Sequence, residues 1–158
     1  MASYTRPLLM LALIGGILSS AAADDSGYVT YRSEASFEDV FFGLRSAIEE
    51  RGLYINSVMD IGGMLERTGK DLGLEGRTYT QARSIELCSA VLAREMTNEN
   101  PARIVNCPFI ISVYQRADAP GVTYVAHREI PPEERAGSPA MTKVAAMLQS
   151  LAEAALSW

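Results

Sequence analysis

Between Val105 and Val113 the chain alternates: Val105, Cys107, Phe109, Ile111 and Val113 are interleaved with Asn106, Pro108 and Ser112. A run of period two has one apolar face and one more polar face, so it belongs in a sheet with a covering layer on one side. The cover is written upstream. Phe37, Val40, Phe41, Leu44 and Ile48 recur at three- and four-residue intervals, which is the stripe of an amphipathic helix. Ser36 and Asp39 have the spacing of a capping box, and Gly52 supplies the left-handed residue that ends the helix. A one-faced sheet and a one-striped helix can satisfy each other only by stacking, so the expected fold class is two-layer α+β.

The remaining segments fill in the order. Tyr28 to Arg32 reads as a strand, as do Leu53 to Ile61 and Thr78 to Leu87. Residues Gly62 to Arg77 carry five glycines and read as a long connection with one helical turn at most. Ser89 to about Asn98 reads as a short helix carrying Leu92 and Met96, closed by Pro101. Asp118-Ala119-Pro120-Gly121 is a turn, after which Val122 to Arg128 returns as a hairpin partner. Pro131-Pro132 and the charges up to Gly137 form a linker. Ser138 and Pro139 then start a final helix, about 139–157, with Met141, Val144, Leu148, Leu151 and Ala155 on one face. The core order is β-α-β-β-α-β, the pattern of a split β-α-β arrangement, plus a C-terminal strand and helix. Helices are expected to cover one face of a mainly antiparallel sheet.

The N-terminus sets how much chain enters that fold. Arg6, the apolar run Leu8 to Leu18, the small residues Ala21 and Ala23 and the acidic pair Asp24-Asp25 follow the order of a secretory signal peptide cut after Ala23. The run is too short for a bilayer span and contains Gly15-Gly16, so no stable membrane insertion is expected after cleavage. Residues 24–158 then form one domain, periplasmic or secreted, with a length suited to a single core. The formal net charge of −5 and the lack of clustered Lys and Arg exclude nucleic acid as the expected partner.

The helix opened by Ser36-Phe37-Glu38-Asp39-Val40 and ended by Arg51-Gly52-Leu53, the strand reaching Cys88 before a helix, and Asn106-Cys107-Pro108 entering Ile110 to Tyr114 together resemble the domain of unknown function 302 family. The resemblance runs from about Val29 to Ile130. It implies a compact two-layer α+β unit that tends to associate with itself, and it implies no established reaction.

Chemistry, if there is any, gathers at sulfur. Cys88 and Cys107 are the only cysteines, and export would place them where a pair usually becomes a disulfide. Closing that loop would restrict the unfolded chain by ~3 kcal/mol. One helical crossover between the two strands would make them parallel and adjacent. Against the bridge, alternation sends Cys88 to the side of Ser84 and Glu86, while Cys107 points into the core with Phe109. Cys107 is then either bonded after a kink at the strand end or simply a small buried apolar residue. At the entrance of a helix, Cys88 faces oriented N–H groups that favour a reactive anion or a soft metal ligand. His127, the one histidine, joins Cys88 and Cys107 as a candidate metal set, although paired ligand spacing is missing. No Cys-x-x-Cys-His attaches haem covalently.

Other motifs fail on spacing. Gly63 and Gly69 are one residue too far apart for a phosphate loop, and Asp71 stands where Ser or Thr would hold magnesium. No serine sits in a nucleophile elbow. Glu49-Glu50 and Glu133-Glu134-Arg135 read as solvated surface. The first expectation is therefore a non-enzymatic module that binds a small molecule or a partner and self-associates, with Phe42, Met147 and Leu156 as spare apolar residues for that surface. The second is a cysteine-based redox or metal/haem protein, and a hydrolase or isomerase comes third. No cofactor is expected under the first.

Overall fold

The computed structural model describes residues 22–23 and 27–158; the rest of the expected signal peptide lies outside the described residues. Six strands form one sheet: β1 (Ala22–Ala23), β2 (Tyr28–Ser33), β3 (Tyr54–Asp60), β4 (Tyr79–Cys88), β5 (Phe109–Arg116) and β6 (Thr123–Arg128). Their order is β1-β2-β6-β5-β4-β3, and every neighbouring pair is antiparallel. The helices are α1 (Phe37–Glu50), α2 (Ile61–Asp71), α3 (Ala90–Glu99), α4 (Pro132–Arg135) and α5 (Pro139–Ala155), with a 3₁₀ helix at Pro101–Asn106. The architecture is α+β. Among the described residues no helix is long and apolar enough to cross a membrane.

The core lies between one face of the sheet and the helices. Phe37, Val40, Phe41, Leu44 and Ile48 of α1 are all buried, as are Met141, Val144, Leu148, Leu151 and Ala155 of α5. From the sheet they meet Tyr31, Ile85, Leu87, Phe109, Ile111, Val113 and Val125. Both helix starts are capped by the serines that mark them in sequence. Ser36 Oγ accepts from the Asp39 N–H at 3.1 Å, and Ser138 Oγ accepts from the Met141 N–H at 3.1 Å. Ser138 also donates to the Glu99 carboxylate, which accepts the Ala140 N–H at 3.0 Å and so ties the end of α3 to the start of α5.

Five expectations are corrected. The strand does not begin at Val105: Asn100 accepts the Ala102 N–H, Pro101 starts the 3₁₀ helix, and Val105 is 84% exposed. The alternation is real only from Phe109 onward. The cysteine-bearing strands are neighbours but antiparallel, because α3 and the 3₁₀ helix carry the chain out and back to the same end of the sheet. Only β2-α1-β3 is a split unit, its two strands separated by β6, β5 and β4. The glycine-rich stretch holds a full helix, α2, capped by Asp60, whose carboxylate accepts the Gly63 N–H at 2.9 Å. Finally, Met147 and Leu156 pack against the margin of the core, whereas Phe42 is exposed and meets Trp158 edge-on with ring centroids 5.1 Å apart. At the outer strand, the β3–β4 register shifts between Ile55 and Ser57, so the ladder is broken there by a bulge.

Candidate binding site

The site arises from a mismatch of strand pairing. β5 stays paired to β4 as far as Leu87↔Phe109, and β6 stays paired to β2 as far as Tyr28↔Arg128. Between β5 and β6, however, the last pair is Ile111↔His127. Beyond it the two central strands part, and the fork between them holds a cavity of about 350 Å³. That is a volume suited to a small organic molecule. Val105, Pro108 and Ile110 line it from the β5 side, with Ala126, Ile130 and Leu148 opposite. Tyr28, Asn106, Ser112, His127 and Arg128 supply the polar groups.

Most of those polar groups are already engaged. Arg128 donates to Asn106 Oδ1 at 2.7 Å and pairs with the Glu134 carboxylate, so its charge is balanced and it ties the fork's two sides together. Ser112 Oγ bonds Ser84 Oγ at 2.7 Å across the β4–β5 ladder, which leaves it outside any relay with the histidine. His127 differs. It is 7% exposed, its Nδ1 lies 2.8 Å from the Arg128 carbonyl oxygen, and its Nε2 is buried with no hydrogen-bond partner. Burial pushes its pKa below the ordinary histidine value, and the Arg128 carbonyl only partly opposes this. The ring is therefore neutral, Nδ1–H donates to that carbonyl, and Nε2 carries a lone pair. Buried polar atoms are nearly always paired, so the orphan Nε2 is an exception, and it belongs to a residue that lines the cavity.

A pH effect follows from the same burial. The unfolded chain takes up a proton near pH 6.5, while the folded chain resists it, so folding stability should fall as pH drops below about 6.5. His127→Gln should remove that part of the slope in urea titrations between pH 7 and pH 5. An unchanged slope would mean that His127 ionises equally in both states.

The structure brings Cys88 and Cys107 together, with 3.6 Å between sulfurs and both residues half-buried. Cys107 escapes the expected conflict of faces because it precedes β5 and is not held to that strand's alternation. Its thiol pKa is raised, first by burial and then by its hydrogen bond with Cys88. His127 does not join them: among the described residues, no group of three His, Cys, Asp or Glu side chains could hold a metal ion. Asn106 and Pro108, which flank Cys107, do line the cavity. Sequence reasoning missed Ile110, Ser112, Ala126 and Arg128 as site residues, since nothing local announces where two strands stop pairing.

A one-sided antiparallel sheet, backed by helices and forked at one end around a small cavity, defines a compact α+β domain of the ligand-sized-cavity kind. The chain belongs to the family described as Domain of unknown function DUF302, whose model matches residues 29–156. The match runs past Ile130, so the last helix is part of the family domain rather than an appendage. Among solved structures, an uncharacterised conserved DUF302 protein from Bacillus stearothermophilus is similar, with 19% identity and a TM-score of 0.62 over 84% of this chain and 97% of that one. At that identity the likeness bears on the fold alone. No curated protein matches.

Proposed function

We propose that the chain is a non-enzymatic binding module whose ligand occupies the fork between β5 and β6. The observation that carries this reading is a largely apolar cavity one of whose lining residues, His127, has a buried and unpaired Nε2. Arg128 is neutralised by Glu134, so the ligand class is a neutral, mostly apolar molecule with one O–H or N–H donor. A donor that reaches the buried Nε2 completes the histidine's bonding, while the ligand's body replaces water chiefly against the exposed Ile110.

Matched probes test this. 2-Naphthol should bind about tenfold more tightly than 2-methylnaphthalene, the worth of one hydrogen bond to a buried acceptor. It should also move the His127 ring resonances in NMR titrations. Equal affinities, or shifts confined to other residues, would remove the histidine from the reading.

The same reading includes self-association and export to the periplasm or the medium. The exposed Phe42–Trp158 pair supports the first, and the leader-like order before Asp24 supports the second. Sedimentation that finds only monomers would count against one, and recovery of the chain with residues 1–23 still attached against the other.

A further inference from the structure

We propose that Cys88 and Cys107 are a reversible dithiol–disulfide couple that exchanges with a low-molecular-weight disulfide. The sulfurs lie 3.6 Å apart, and a bond requires about 2.05 Å, so they must approach by only ~1.5 Å. One partner is held within the sheet and the other lies outside it. Cys88 ends β4, and it pairs with Tyr54 on one side while the preceding Leu87 pairs with Phe109 on the other. Cys107 follows the 3₁₀ helix Pro101–Asn106, which has no buried residue and exposes Ile104 and Val105. Half-burial leaves the pair within reach of a small molecule.

The chemistry proceeds in two exchanges. Burial raises the Cys107 thiol pKa, so the attack begins at Cys88, which gives its proton to solvent. It displaces one thiolate from the external disulfide and forms a mixed disulfide. Cys107 then loses its proton to solvent and attacks the Cys88 sulfur, expelling the second thiolate. Two protein thiols are oxidised, and one external disulfide is reduced to two thiols.

Closure also has a direction. β5 lies between β4 and β6, so drawing Cys107 toward β4 moves Asn106 and Pro108 away from β6. The 2.7 Å bond from Arg128 to Asn106 is expected to weaken, and the fork's mouth to widen. Only the effect of that widening on a ligand rests on the binding reading; the couple itself does not.

The test is oxidised glutathione in excess over the purified chain, followed by thiol titration and intact mass. Both thiols should disappear within one monomeric chain, without a retained glutathione adduct, and dithiothreitol should restore them. Cys107→Ser should stop at a glutathione adduct on Cys88, and Cys88→Ser should react at least about tenfold more slowly. A wild-type chain that keeps two free thiols, or that links only to other chains, overturns the couple, and this measurement needs no variant to fold. Faster water exchange of the Arg128 guanidinium N–H signals is expected after oxidation. Unchanged exchange would refute the widening while leaving the bond in place.

Discussion

Ile111→Ala is expected to cost about 3 to 4 kcal/mol of folding stability and to lower the unfolding midpoint by about 10 to 15 °C. Ile111 is fully buried in the middle of the sheet, opposite Ile85 on β4 and His127 on β6. Truncation removes its own transfer free energy and leaves a void that the surrounding side chains cannot close, because strands on both sides hold the backbone in place. The loss also falls on the last pair before the fork, so fraying of β6 should accompany it. Urea and thermal denaturation followed by circular dichroism measure the cost. A loss below about 1 kcal/mol would mean that the centre of the sheet relaxes far more readily than a packed interior does.

Ala126→Leu is expected to abolish 2-naphthol binding while changing stability by less than about 1 kcal/mol. Ala126 sits half-buried on the face of β6 opposite the core, and it lines the fork. Extra methyl groups there grow into the cavity rather than into the packed layer, so they compete with a ligand without straining the fold. The two readouts together separate a blocked site from a damaged protein. Retained binding in a stably folded Ala126→Leu chain would place the naphthol elsewhere and sink the assignment of the fork as the site.

The features legible in the sequence are those with a local cause. The stripes of α1 and α5 follow from spacing within one element, and Ser36 and Ser138 announce their starts with side chains that bond three residues on. The sheet's apolar face likewise follows from alternation in β4 and β5. What failed to read was set by distant partners. Val105 continues an alternating pattern, yet the Asn100 cap and Pro101 commit the segment to a 3₁₀ turn, and its valine ends in solvent. Gly62, Gly63 and Gly69 lower the intrinsic tendency of α2 to be helical. The helix nevertheless packs beside β4, so closely that a Cβ on Gly62 would lie 3.0 Å from the Ala82 nitrogen. The antiparallel setting of the cysteine strands depends on where a 3₁₀ helix returns the chain, and the fork depends on two registers ending at different residues. Neither has a signature in composition or spacing. His127 drew notice in sequence as a metal candidate, but the fold sets it apart from the cysteines and buries it with one ring nitrogen unpaired.

The broken ladder on β3 bears on how copies of this chain can meet. An outer strand with an even row of free N–H and C=O groups invites a second chain to continue the sheet, and from there fibrous growth. The shift between Ile55 and Ser57 interrupts that row, so an incoming strand would find its hydrogen bonds out of step after a residue or two. At this edge, open-ended extension of the backbone is therefore disfavoured, and a contact made there would rest on side chains instead.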